Sequence, residues 1–397
     1  TATPYANVLN QGPSKTSLYP EDFIVSLVPA NEYFGPQQIF GSSDGEYEGL
    51  DIVRIIDSEE LEKIKQIHKM PGSEIPAGLQ ESLCWFICCV AVQRLRKYKN
   101  PVSMLIHTSH KVNSHENLYN SIGQWFEKNK NSLLPFCEEV WKNETSRFSL
   151  QKFREQFPDY GKIKDLNPYP EFEEIEPEIR NILKHGLRSI RFSEAQNPQY
   201  SQGLHFCIDN YRYNKIIDGE NYLRLLYPDQ PLKDIDAPAF IVIGGNTLSR
   251  GLTLEGLVST YFLRVVGQAD TLMQMGRWFG YRKGYELLPR LWLTEKTAKQ
   301  FKFLSDLDSD LRDEIYQREQ EKATPASYGP KIMNTPKTQF LKITAKNKMQ
   351  SAIEADVDYT GTMRQTTIFP SDDRKQKENL ELLQNMTGSL GTPEKKK

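Results

Sequence analysis

The sequence predicts an α/β fold built on a parallel sheet, and three observations carry that prediction. The run Ala239-Phe240-Ile241-Val242-Ile243 is continuously apolar and ends in Gly244-Gly245; such runs form strands covered on both faces. A second run, Val258-Ser259-Thr260-Tyr261-Phe262-Leu263, follows after a short connection, and Leu291-Trp292-Leu293 supplies a third. Helical spacing over residues 269–279 separates the second from the third. The order strand, connection, strand, helix, strand defines a parallel sheet.

The remaining elements follow in chain order. Residues 23–28 alternate as a strand does, and a stretch rich in proline and glycine runs from there to Gly49. Leu83, Phe86, Ile87, Val90 and Leu95 recur at helical spacing, which predicts an amphipathic helix over 78–99. Its basic end, Arg94-Leu95-Arg96-Lys97-Tyr98-Lys99, suits a helix C-terminus, and Asn100-Pro101 stops it. Val102-Ser103-Met104-Leu105-Ile106-His107 is a short buried strand, and a helix follows to about Lys128. Residues from about 133 to 233 read as an insertion, mainly helical, with strand near 203–208. Beyond Thr294 a charged helix reaches about Lys322 and leads into a strand-containing C-terminal extension. The divisions are therefore 1–77, 78–300 with the insertion inside it, and 301–397.

Composition sets outer limits. The 397 residues are 38% hydrophobic and 26% charged, which suits two or three packed domains. Lys and Arg number 50 against 52 Asp and Glu, a net charge of −2, so any nucleic-acid surface must be local. No apolar run is long enough to span a bilayer and no signal peptide is visible. Cys84, Cys88, Cys89, Cys137 and Cys207 read as small core residues of a reduced, cytoplasmic protein. The opening Thr1-Ala2-Thr3-Pro4-Tyr5-Ala6-Asn7 resembles the interior of a fold, so the chain reads as part of a longer polypeptide.

Two segments after the strands carry chemistry. Gly244-Gly245-Asn246-Thr247-Leu248-Ser249-Arg250-Gly251-Leu252-Thr253-Leu254-Glu255-Gly256-Leu257 leaves the carboxyl end of a strand, where an α/β sheet places its ligands. Its glycines let backbone approach a phosphate, and its Asn, Ser, Thr and Arg offer donors. Gln274-Met275-Gly276-Arg277-Trp278-Phe279-Gly280-Tyr281-Arg282 puts two arginines at a helix end. There a guanidinium can stabilise charge on a γ-phosphate held by another lobe. Trp278 and Tyr281 beside them offer rings for packing or for base stacking.

These segments resemble motifs V and VI of superfamily 2 helicases. Thr1-Ala2-Thr3-Pro4 resembles motif III, and Met104-Leu105-Ile106-His107-Thr108-Ser109 resembles motif IV. Taken together, the four segments are similar to the Z-one domain family, helicase-linked proteins of bacterial restriction-type defence systems that are often labelled endonucleases. The resemblance implies a RecA-like second helicase lobe over 78–300, preceded in 1–77 by the end of the first lobe and a linker. It implies ATP and Mg²⁺ held mainly by the first lobe, DNA contacted through its backbone, and other defence subunits as partners. Arg277 and Arg282 would be arginine fingers. Asn246, Arg250, Gly251, Thr253, Gln274 and Gly276 would bind nucleotide or couple its state to DNA, and Thr1 and Thr3 would couple through motif III. Thr108, Ser109, Thr247 and Ser249 would meet DNA phosphates, with Arg94, Arg96, Lys97 and Lys99 as a further basic patch. Position 280 departs from the family spacing: Gly280 stands where an arginine is usual.

Other motifs fall short. Gly12-Pro13-Ser14-Lys15-Thr16 lacks the glycine a phosphate loop needs before its lysine, and Asp313-Glu314 sits in a charged helix rather than after a strand. The chain alone is therefore expected not to hydrolyse ATP. His107, His110 and His115 with Cys84 and Cys88 lack the paired spacing of a zinc site. Neither Glu62-Lys63 nor Glu295-Lys296 fits a nuclease pattern, and Glu354, Asp356 and Asp358 alternate as a solvated strand does. A metal-dependent endonuclease and a non-catalytic interaction module stay open as rivals, the arginines favouring the motor.

Overall fold

Seven strands join into one fully parallel sheet, as buried apolar runs separated by helices require. The computed structural model describes residues 22–324 apart from 44, 46, 73, 214–220, 246–252, 265 and 267–268, together with 332–333, 354–355, 377 and 380–384. One compact unit extends to Glu354, and a second comprises Ala355–Lys397. In the second unit, residues 380–384 are helical.

The first unit opens with β1 (Tyr33–Phe34), α1 (Pro36–Phe40), β2 (Val53–Ile56), α2 (Ser58–Lys69), α3 (Ala77–Leu95) and β3 (Val102–His107). Helices α4 (Val112–Asn129), α5 (Leu133–Arg147), α6 (Leu150–Gln156) and α7 (Phe172–His185) follow. Next come β4 (Leu187–Arg188), β5 (Ile190–Phe192), β6 (Pro198–Gln199), β7 (Leu204–Asp209) and β8 (Asn221–Tyr222). The last part holds β9 (Ala239–Gly244), β10 (Leu257–Phe262), α8 (Ala269–Met275), β11 (Gly280–Tyr281), β12 (Arg290–Thr294) and α9 (Glu295–Gln320). The central sheet has the order β2-β12-β10-β3-β9-β7-β4. This is a RecA-like α/β fold, and β3, β7, β9 and β10 are buried at every position.

Helix α3 differs from its expected amphipathic form. It is buried on all faces, from Leu79 and Leu83 through Trp85, Phe86 and Ile87 to Val90 and Val92. Its indole Trp85 stacks on Trp141 of α5 at 5.3 Å between centroids. A helix apolar all round lies inside a protein, not on its surface. All five cysteines are free and buried.

The segment expected as an insertion is woven into the lobe. Strand β7 lies in the central sheet, pairing Leu204 with Ala239 and Cys207 with Val242 of β9, and α7 buries Phe172, Ile175, Ile179 and Ile182. Helix α9 likewise runs across the boundary drawn at residue 300. Residues 23–30 form no strand, and Phe23, Leu27 and Val28 are exposed.

A buried ionic knot fastens these layers. Arg290 of β12 is fully buried and spends all five of its N–H donors on Glu144 Oε2 (2.6 Å), the Leu287 carbonyl (2.9 Å), the Pro289 carbonyl (2.8 Å), the Glu144 carbonyl (3.2 Å) and the Tyr169 hydroxyl (3.0 Å). Arg54 of β2 grips the same carboxylate, its Nε 2.6 Å from Glu144 Oε1. The Arg290 guanidinium also lies 4.5 Å from the Trp85 ring centroid.

A buried histidine gives the sheet a pH dependence. His205 Nδ1–H donates to the Ala239 carbonyl (2.9 Å) and Nε2 accepts from the Ser201 N–H (2.9 Å), so the ring is satisfied only when neutral. Burial, with Arg94 adding to it, holds its pKa down at about 4 although the bond to Ala239 opposes this. The folded value lies below the unfolded one of about 6.5, so this stability is present above pH 6.5 and is lost as pH falls from there towards 4. Urea titrations should lose on the order of 2–3 kcal/mol across that window from this residue, and His205→Gln should flatten the slope. An unchanged slope in the variant would remove His205 as its source.

Candidate functional site

The geometry at the carboxyl edge begins with the turn after α8. That helix was expected to reach Phe279 but ends at Met275, because the chain folds sharply through Gly276. The turn is closed by Gly276 N–H to the Met273 carbonyl (3.1 Å), Arg277 N–H to Met275 (2.8 Å) and Phe279 N–H to Gly276 (3.2 Å). A side chain at Gly276 would stand 2.3 Å from the Phe279 ring, so the ring packs where only hydrogen fits. Gly280, with φ +135°, then starts β11 and pairs with Phe34 of β1. An arginine at 280 would be strained there, which accounts for the departure from the family spacing.

Arg282 enters the turn from below. It is buried, and its NH2 group donates to the carbonyls of Trp278, Arg277 (3.3 Å) and Phe279 (3.3 Å), while NH1 reaches the Tyr285 hydroxyl (3.3 Å). The guanidinium thus holds the shape of the turn that carries Arg277. Arg282, expected as a second finger, has both terminal nitrogens engaged by the turn and by Tyr285. Arg277 is half-buried, and burial lowers its pKa from the usual value.

Arg277, Arg282, Gln274, Gly276 and Thr253 all line one cleft of about 1070 Å³. Its other walls are Tyr33 and Gln37 from the β1–α1 region and one face of α9, where Ser305, Asp308, Ser309 and Arg312 recur at helical spacing. The α9 wall was not foreseen, since its residues look like an ordinary charged helix. Trp278 is 2% exposed and packs edge-on against Phe262 (5.6 Å) and Phe301 (5.1 Å), so it serves the core and not a base.

A second cluster gathers where β3 and β9 end. His68 Nε2 lies 2.8 Å from Thr108 Oγ1, so that hydroxyl is already engaged. His115 Nε2–H donates to the Ser109 carbonyl (2.9 Å), and its ring packs against Gly245. Arg264 donates to His107 Nε2 (3.1 Å). Burial lowers the pKa of His68 to about 4 and those of His107 and His115 below the usual range, so all three are neutral at pH 7. A Cβ at Gly245 would sit 2.8 Å from the His115 ring. Gly245→Ala should therefore lower Tm by several degrees, and His115→Ala in that background should restore part of the loss. Strictly additive losses, measured by thermal unfolding of the two singles and the double, would show that the two residues are not coupled.

The basic run at the end of α3 makes several structural contacts. Arg94 donates to the Gln202 (2.8 Å) and Asp236 (3.2 Å) carbonyls, and Arg96 to Pro168 (2.8 Å) and Gly284 (3.3 Å). Lys97 and Lys99 both pair with Asp236. These contacts tie loops to the end of the helix, while the Lys97 and Lys99 side chains stay exposed. Thr1, Thr3, Asn246, Thr247, Ser249, Arg250 and Gly251 lie outside the described residues. Among the described residues no group of three or more His, Cys, Asp or Glu could hold a metal ion, and no helix is long and apolar enough to cross a membrane.

Fold and cleft together define a RecA-like α/β unit with an arginine-bearing turn on the wall of one cleft. Comparison with sequence families matches residues 78–340 to the Z1 domain, and the chain belongs to that family. No curated protein and no solved structure matches it.

Proposed function

We propose that this chain is the second RecA-like lobe of a nucleic-acid-dependent ATPase, a superfamily 2 helicase or translocase that acts on DNA in restriction-type or anti-phage defence. The observation that carries the reading is the convergence of Thr253, Gln274, Gly276 and Arg277 on one cleft, with Arg282 bracing the turn beneath them. ATP with Mg²⁺, held mainly by the first lobe, supplies the phosphoryl group. Arg277, from this lobe, stabilises charge on the γ-phosphate. Asn246, Arg250 and Gly251, with Thr253 at the cleft, couple nucleotide state to DNA. Thr247, Ser249 and Ser109 meet backbone phosphates; Thr108, whose hydroxyl is taken by His68, does so only by exchanging partners.

The test is DNA-stimulated ATP hydrolysis by the polypeptide that joins this lobe to a phosphate-binding lobe, with this chain alone beside it. Turnover that rises with DNA in the first sample and is absent from the second supports the motor. Mg²⁺-dependent DNA cleavage by this chain without ATP would replace it with the endonuclease reading.

A further inference from the structure

The cleft contains more polar chemistry than an arginine finger uses. Asp308 Oδ1, Ser305 Oγ and Arg282 Nε are all buried and have no hydrogen-bond partner among the described residues, yet all three residues line the cleft. Buried polar atoms are nearly always paired, so three orphans in residues that line one cleft, two from α9 and one from just after β11, call for a ligand or water to complete them. They offer an acceptor (Asp308), a donor (Arg282) and a hydroxyl that serves as either (Ser305). The other Asp308 oxygen is already committed to Arg312 Nε at 2.7 Å, which fixes the carboxylate and leaves one acceptor open. Burial also raises the Asp308 pKa in spite of Arg312, as expected of a carboxylate short of donors.

A ligand edge that presents a donor beside an acceptor is the complement of this set. An amino-bearing purine has such an edge, and the rings of Tyr33 and Phe279 on the cleft walls supply flat apolar surface for its faces. We propose that the cleft receives the base of the nucleotide and that Asp308 accepts a hydrogen bond from its exocyclic amino group, with Arg282 Nε–H donating to the neighbouring ring nitrogen. The inference rests on the motor reading and makes Asp308 its specificity-determining residue. Because the three atoms are covered in this structure, the base reaches them through a side-chain rearrangement of the cleft floor.

ATP and inosine triphosphate separate the possibilities, because inosine carries an oxo group where adenosine carries the amino group. The intact protein should use ATP with kcat/KM at least ~10-fold above inosine triphosphate. In Asp308→Asn, whose amide can donate, that ratio should fall to near one or reverse. Ser305→Ala, a smaller change, should lower the ratio by a few-fold and provides the same readout if the first variant folds poorly. Equal use of both nucleotides by the wild type, or a ratio unchanged in both variants, overturns the inference while leaving an Arg277-dependent ATPase standing. Absence of turnover with either nucleotide overturns the motor reading and this inference with it.

Discussion

Arg277→Ala in the intact protein is expected to lower kcat for DNA-stimulated ATP hydrolysis about 10³-fold, with a much smaller change in KM. A finger guanidinium acts on charge that develops in the transition state, so its loss falls on turnover and spares binding. Arg277→Lys should recover little, since an ammonium on a flexible stem does not reproduce the planar fork. Arg282→Ala is the control that gives this result its meaning. Its guanidinium is tied to the Arg277, Trp278 and Phe279 carbonyls, so that variant should lose Tm together with kcat. Normal turnover in Arg277→Ala would remove the residue from the reaction, and a Tm loss as large as that of Arg282→Ala would make it a second brace.

The strands were readable because each is a closed apolar run. Val102–His107, Ala239–Gly244, Leu257–Phe262 and Arg290–Thr294 all fall within a residue or so of where composition put them. Helix α3 was readable as a helix but not as a buried one, because the apolar spacing that defines one face does not reveal that Cys84, Cys88 and Cys89 fill the others. The alternation in 23–28 fails as a strand because a strand needs a neighbour, and local pattern cannot supply one. At the site, Arg277 and the residues around it follow from the motif. The engagement of Arg282 with the carbonyls of the turn does not. It depends on where Gly276 ends α8 and on the positive φ of Gly280, which let the later arginine double back on the turn. The α9 wall was hidden for a different reason: Ser305, Asp308, Ser309 and Arg312 lie among other charged and polar residues of one long helix, and only their place along the cleft distinguishes them.

The largest stability loss is expected at Glu144. Glu144→Ala leaves both Arg54 and Arg290 buried without their carboxylate, and breaking one partner of a buried ion pair typically costs 3–5 kcal/mol. The knot joins β2, α5 and β12, so the loss should appear as one cooperative shift in the urea midpoint with no change in slope. Burial would push the Glu144 carboxyl up, but the Arg54 hydrogen bond and the Arg290 charge outweigh it and hold its pKa below the usual value. The folded value is thus depressed: the stabilisation is full above the unfolded pKa near 4.5 and is lost as pH falls through the folded value. Glu144→Gln should accordingly be most destabilising near neutrality and converge on the wild type in acid. Replacing Arg54, Glu144 and Arg290 together with apolar residues of similar volume should cost less than Glu144→Ala alone, because no charge is then stranded. A Glu144→Ala loss below about 1 kcal/mol would mean that water reaches the arginines, and the knot would have to be redrawn as a solvated one.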